Sequence, residues 1–266
     1  MRVIFFLQNR NAKKAILLCC ILFATAMALF HLLLSPPALE ALSTEKRLLP
    51  IYEVDTDKPL VAISFDASWG AEHTLEILDT LDEYGVKASF FLVNIWLEEY
   101  PDLAREIANR GHEIGLHSVS HPHFSTLSEE EIRAELEGNF AMIQQSTGYC
   151  PTLFRPPFGD YNDQVVEMVN ACGYDCIQWS KDSLDWKDLS ADAICQRVLK
   201  DIHPGDIVLF HNNGLHTAEA LPRILESLAE QGLTAAPVGE VLLEGDSYVD
   251  SQGVQRSRDS ISGEGI

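Results

Sequence analysis

The stretch VAISFDASWGAEHTLEILDTLDEYGVKASFFLV, residues 61–93, sets the reading of the whole chain. Val61-Ala62-Ile63-Ser64-Phe65 is a strand-length apolar run rich in β-formers. From Glu72 to Tyr84 the spacing turns helical: Leu75, Leu78 and Leu81 share a face, and Gly85 stops the helix. Ala88 to Val93 returns to strand. A strand, a helix and a second strand in succession imply a parallel pair with the helix packed on one face.

The same alternation continues outward. A helix is expected over Pro101–Asn109, a strand over Glu113–Leu116, and a helix from Ser128 to about Thr147, opened by a Ser128/Glu131 capping box and closed by Gly148. Thr152–Phe154, Tyr174–Trp179, Asp206–Phe210 and Leu233–Ala236 read as further strands. Helices over Asn162–Ala171, Ser190–Asp201 and Thr217–Glu230 separate them, and Val238–Leu243 reads as a last helical turn. The pattern predicts an α/β domain over 60–244, either a small irregular β/α barrel or a doubly wound sheet. Residues 35–59, with Pro36, Pro37, Pro50 and Pro59, read as a stalk and lead-in; residues 245–266 read as a disordered polar tail.

The N-terminus belongs to another class. Residues 1–14 carry a basic flank of Arg2, Arg10, Lys13 and Lys14, and residues 15–34 are apolar except for Thr25 and His31. About 20 such residues span a bilayer as a helix. Small-x-small sites fall inside this run rather than after it, which favours an uncleaved single-pass signal anchor over a cleaved signal peptide. Both readings place the following domain outside the cytoplasm. That domain is strongly acidic: residues 51–245 hold 11 Lys and Arg against 34 Asp and Glu. Such a surface argues against nucleic acid or another polyanion as partner and suits a neutral or partly cationic glycan. Cys172 and Cys176 lack the second pair that a zinc knuckle needs. Spacing assigns no disulfide to Cys150, Cys172, Cys176 or Cys195, and buried free thiols are the default.

The unusual polar residues fall at the C-terminal ends of the expected strands, where parallel β/α folds gather their catalytic groups. Asp66 ends the first. His117 and His121 follow the third, spaced to share a divalent metal such as zinc, cobalt or nickel. Arg155 follows the fourth, in a turn stiffened by Pro156, Pro157 and Gly159, and needs a carboxylate partner if buried. Asp182 and Asp185 follow the fifth, and His211 ends the sixth. Trp69, Trp179 and Trp186 lie near strand ends, where an indole stacks on a sugar or packs the core.

These segments, in this order, resemble the polysaccharide deacetylase family, also called the NodB-homology domain or carbohydrate esterase family 4. The residues that carry the likeness are Ser64-Phe65-Asp66, His117 to His121, Arg155 to Gly159, Asp182 to Trp186 and Leu209-Phe210-His211. Phe65-Asp66-Ala67-Ser68-Trp69-Gly70 and Asp182-Ser183-Leu184-Asp185-Trp186 resemble in particular the sporulation-associated branch typified by the Bacillus protein PdaB. The resemblance implies a distorted (β/α)7 barrel that hydrolyses N-acetyl groups of cell-wall amino sugars. It implies Asp66 as general base, His117 and His121 as metal ligands, and Arg155 as the residue orienting Asp66, braced by Asp182 and Asp185. His211 is implied as general acid, Leu209 as a wall of the acetyl pocket, and the Phe158 N–H as an oxyanion donor. Trp186 and Tyr161 are candidate substrate contacts.

One position departs from the family. Its first motif has two adjacent aspartates, the second a metal ligand, and here that second position is Ala67. Three readings follow: Glu72, His73 or Asp182 completes the site; two histidines and waters hold the metal; or the domain binds glycan without hydrolysing it.

Overall fold

The computed structural model describes residues 10–33 and 47–258. They fall into two compact units, residues 1–47 and 48–266. The first holds helix α1 (Arg10–Leu33), which carries the apolar run. Several of its side chains lie outside the described residues, and among the described ones no helix is long and apolar enough to cross a membrane.

The second unit is built on an all-parallel sheet. Its strands are β2 (Leu60–Ala67), β3 (Ser89–Leu92), β4 (Glu113–Leu116), β5 (Leu153–Phe154), β6 (Asp175–Cys176), β7 (Lys181–Asp182) and β8 (Ile207–His211), in the order β6-β5-β4-β3-β2-β8-β7. Strand β9 (Thr234–Ala236) pairs with the start of β2. Helices α2 (Thr74–Glu83), α3 (Asn94–Glu99), α4 (Pro101–Asn109), α5 (Glu129–Thr147), α6 (Asp163–Ala171), α7 (Ala191–Leu199), α8 (Thr217–Glu230) and the short α9 (Val238–Val241) connect the strands. Along β2 the alternation of side chains divides two apolar layers. Val61, Ile63, Phe65 and Ala67 join the layer beneath the helices, with Phe65 stacked on Phe90 and Phe210; Ala62 joins the inner layer with Phe91 and Ile207. A fully buried Phe or Ile stabilises such a layer by about 1.5–3 kcal/mol relative to exposure. On α2 the buried apolar residues are Ile77, Leu78 and Leu81, while Leu75, expected on that face, is exposed.

The sheet curls as a half-barrel and does not close as the expected (β/α)7 barrel. Tyr174–Trp179, expected as one strand, is interrupted: β6 and β7 are the two edges, and residues 177–180 run between them. The chain just before β1 (Glu53–Val54) lies against this seam. The Ile51 N–H donates to the Cys176 carbonyl at 2.8 Å, and the Gln178 N–H donates to the Ile51 carbonyl at 2.7 Å.

Two expected boundaries therefore move. Residues 48–59 are not stalk, because they hold this edge. The tail is not disordered through residue 257: β10 (Ser247–Val249) and β11 (Val254–Ser257) form a three-stranded sheet with β1, in which Glu53 pairs with Val254. Among the described cysteines none is in a disulfide; Cys176 and Cys195 are buried, Cys172 is half-buried and Cys150 is exposed.

Candidate active site

Strand register assembles the site. Asp66 on β2 lies level with His211 on β8, and Leu116 on β4 lies level with Phe154 on β5. His117 and Arg155, each one residue further on, emerge side by side. Leu209 precedes His211 by two, so the two share a face; it is buried, and level with Asp182.

Asp66 and Arg155 form a buried pair. Nη1 of Arg155 donates to Asp66 Oδ1 at 2.8 Å, and Nη2 donates to the Ser64 hydroxyl at 2.9 Å and the Gln178 carbonyl at 3.1 Å. The guanidinium lies 4.1 Å from the centre of the Phe91 ring. The other carboxylate oxygen of Asp66 is 3.6 Å from His117 Nε2. Burial opposes the charge on Asp66. The Arg155 guanidinium, with His117 and His211, outweighs it and holds the carboxyl below the usual range. Asp66 is thus ionised and held in one orientation by Arg155.

Asp185 serves His211 instead of bracing Arg155. It is fully buried, accepts from the His211 N–H at 2.7 Å and from the Thr217 hydroxyl at 2.7 Å, and lies 2.7 Å from His211 Nδ1. Burial works against protonation of His211, but the hydrogen bond and charge of Asp185 prevail and raise its pKa above the ordinary value. Asp182 shapes its own turn: its carboxylate accepts from the Leu184 N–H at 2.9 Å and its carbonyl from Arg197. Neither aspartate is the partner expected for Arg155. That role falls to Asp66, Ser64 and Gln178.

His117 Nδ1 is 2.8 Å from the Arg155 carbonyl, which leaves Nε2 facing the site. His121 Nδ1 is buried and has no hydrogen-bond partner among the described residues. Burial drives both imidazoles toward the neutral form, His121 to a pKa of about 3. Two neutral imidazole nitrogens fit a divalent cation, but the protein donor set stops there. Among the described residues no third His, Cys, Asp or Glu joins these two with all ligand atoms within 4.8 Å of one another. The three expected substitutes are engaged elsewhere. Glu72 accepts from the Ala71 N–H at 3.0 Å, His73 Nδ1 faces Glu76 at 3.6 Å, and Asp182 holds Leu184. Ala67 is fully buried in the helix-side apolar layer. The one described cluster of that kind, Glu53, His203 and Asp206, lies at the opposite end of β8, with the Lys181 ammonium 3.5 Å from Asp206.

Exposed aromatic residues lie next to these groups in the chain or in space. Trp69, Phe158 and Trp186 are each more than half exposed. The rings of Trp69 and Phe158 flank His121 at 4.7 and 4.4 Å, and Phe158 stands at a left-handed φ of 60°. Trp179 is half-buried and packs on the inner layer, and Tyr161 turns to Tyr52, with its hydroxyl 2.9 Å from that of Tyr52. Glu135 and Asn139 of α5, absent from the sequence reading, hold the histidine turn. Asn139 had a signal: it is a polar residue on the buried Ile132, Leu136, Ile143 face.

Comparison with known proteins places the chain. The polysaccharide deacetylase family matches residues 53–177. The Bacillus subtilis protein YlxY is 34% identical over 206 residues, which are 77% of this chain and 63% of that protein, so the chain spans less than two thirds of it. A peptidoglycan-N-acetylglucosamine deacetylase of Bacillus cereus is 33% identical over 72% of this chain and 92% of its own length. A crystal structure described as a carbohydrate esterase family 4 pseudoenzyme from Bacillus anthracis is 37% identical, with a TM-score of 0.71 over 73% of this chain and 69% of that one. A mutant of it is described as having restored enzymatic activity. This chain belongs to the polysaccharide deacetylase family.

Proposed function

We propose that this protein is a hydrolase that removes N-acetyl groups from amino sugars of a peptidoglycan-like cell-wall polymer. The observation that carries the reading is two separate pairs at neighbouring strand ends: Asp66 on Arg155, and His211 on the buried Asp185, which raises its pKa. Asp66 takes a proton from the attacking water, and protonated His211 delivers one to the departing amine nitrogen. Leu209 walls the acetyl pocket, the Phe158 N–H faces the oxyanion, and Trp186 and Trp69 offer indole faces to sugar rings. Zinc, or cobalt or nickel, held by His117 and His121 supplies Lewis acidity toward the acetamide carbonyl when bound.

Helix α1 serves as a single-pass membrane anchor with the domain outside the cytoplasm, a reading supported by the basic flank and the apolar run over 15–34. Placement in the PdaB-like sporulation-associated branch is supported by the segment from Phe65 to Gly70.

Ala67 and the two-nitrogen donor set favour a second reading, a glycan-binding domain with little or no turnover. The similarity to a structure described as a pseudoenzyme supports it. Acetate released from N-acetylated peptidoglycan fragments in zinc or cobalt tests the first reading. Release that Asp66→Asn abolishes supports it. Glycan binding without release supports the second.

A further inference from the structure

We infer that Glu135 and Asn139, one turn apart on α5, are positioning residues that set the conformation of the His117–His121 turn. The inference rests on the reading of that turn as the metal-holding segment.

The turn has a backbone that L-residues adopt rarely. Ser118 stands at φ 78° and His121 at φ 56°, and neither is glycine. Such a conformation persists only where its surroundings over-determine it, and α5 supplies the determination. The His117 N–H donates to Asn139 Oδ1 at 2.8 Å. The N–H groups of Val119 and Ser120 both donate to Glu135 Oε2, at 2.7 and 3.0 Å, and the Ser120 hydroxyl donates to Oε1 at 2.7 Å. Asn139 is fully buried, and its amide donates onward to the Leu92 carbonyl at 3.0 Å and to Asn94 Oδ1 at 2.7 Å. The strand end before α3 is thereby tied to the same helix. Inside the turn, the Ser118 hydroxyl accepts from the His121 N–H at 2.9 Å.

Close approach of helix and turn needs Gly138. A Cβ there would come within 2.8 Å of Val119 Cγ2. Helical spacing places residues 135, 138 and 139 on one side of α5. With an alanine at position 67, the two imidazoles carry the whole protein share of metal affinity. Their mutual placement then depends on this brace more than it would in a site with a third, anionic ligand.

The test uses the purified full chain in detergent, with Glu135→Ala, Glu135→Gln, Asn139→Ala and His117→Ala. Two quantities are read: Co2+ affinity by calorimetry, and amide hydrogen exchange at Val119 and Ser120 without metal. Glu135→Ala is expected to weaken Co2+ binding by about 10–100-fold and to lower protection of those two amides by about tenfold or more. Glu135→Gln keeps an oxygen acceptor in place, so it is expected to stay within about threefold of wild type in affinity. Unchanged exchange and affinity in Glu135→Ala would overturn the inference, even if the thermal midpoint fell. His117→Ala separates the two claims. If it leaves Co2+ binding unchanged, the metal reading of the turn fails and the exchange data alone decide the positioning role. If Asn139→Ala does not fold, the Glu135 pair carries the test.

Discussion

The two halves of the site are built to different standards. In the part proposed for acid–base work each group has a buried partner of opposite charge: Asp66 has Arg155, and His211 has Asp185. Around His117 and His121 two neutral imidazoles are held by backbone and helix contacts, and the residue after Asp66 is a buried alanine. Charge pairs shift the pKa values on one side, lowering Asp66 and raising His211, and hydrogen bonds fix only geometry on the other. The difference teaches that the Asp66/His211 part and the His117/His121 part are built separately, and that the proposed proton-transfer role rests on the better-supported part.

Asp66→Asn tests the stronger half most severely. It keeps shape and removes the base, so any acetate release is expected to fall by about 10²–10⁴-fold, as read by initial rates. Arg155→Met leaves the Asp66 carboxylate buried without its partner. It is expected to destabilise the fold by about 3–5 kcal/mol in urea denaturation at neutral pH. A loss below about 1 kcal/mol would show that water reaches Asp66 and that the pair is not sealed.

Asp185→Asn sharpens the comparison through pH. The folded pKa of His211 is raised, so its contribution to stability is complete below the unfolded value of about 6.5 and is lost as pH rises through the folded value. Asp185→Asn is therefore expected to cost most stability in acid and least in alkali. It should also move the alkaline limb of the rate profile to lower pH. An unmoved limb would mean that His211 is not the acid. The smallest effect is expected around His117 and His121. Ser128 opens α5 with a capping box to Glu131, and Ser128→Ala is expected to cost about 1 kcal/mol without moving that limb.

The strand-end residues were legible because β-strand alternation and helix stops are local signals. Asp66, His117, Arg155 and His211 needed only the positions of the strand ends. Partnerships were not legible, because they depend on register between distant segments. Asp185 pairs with His211 because β7 aligns Asp182 with Leu209, a relation that no spacing encodes. The seam joins Ile51 to Cys176 and Gln178, and the β1-β11 pairing joins Glu53 to Val254; both link short segments far apart in the chain, so 48–59 and 247–257 read as stalk and tail. Asn139 is a polar residue on an apolar helix face, a signal that spacing carries, whereas no local pattern separates Glu135 from a solvated acid.

Restoring the carboxylate at position 67 addresses the contrast between the halves most directly. Acetate release is measured against Co2+ concentration for wild type and Ala67→Asp in the same preparation series. Ala67→Asp is expected to reach half-maximal rate at a Co2+ concentration lower by about tenfold or more, with the same dependence on Asp66 as wild type. Identical metal dependence in the two proteins, or no release from Ala67→Asp at any Co2+ concentration, would contradict it.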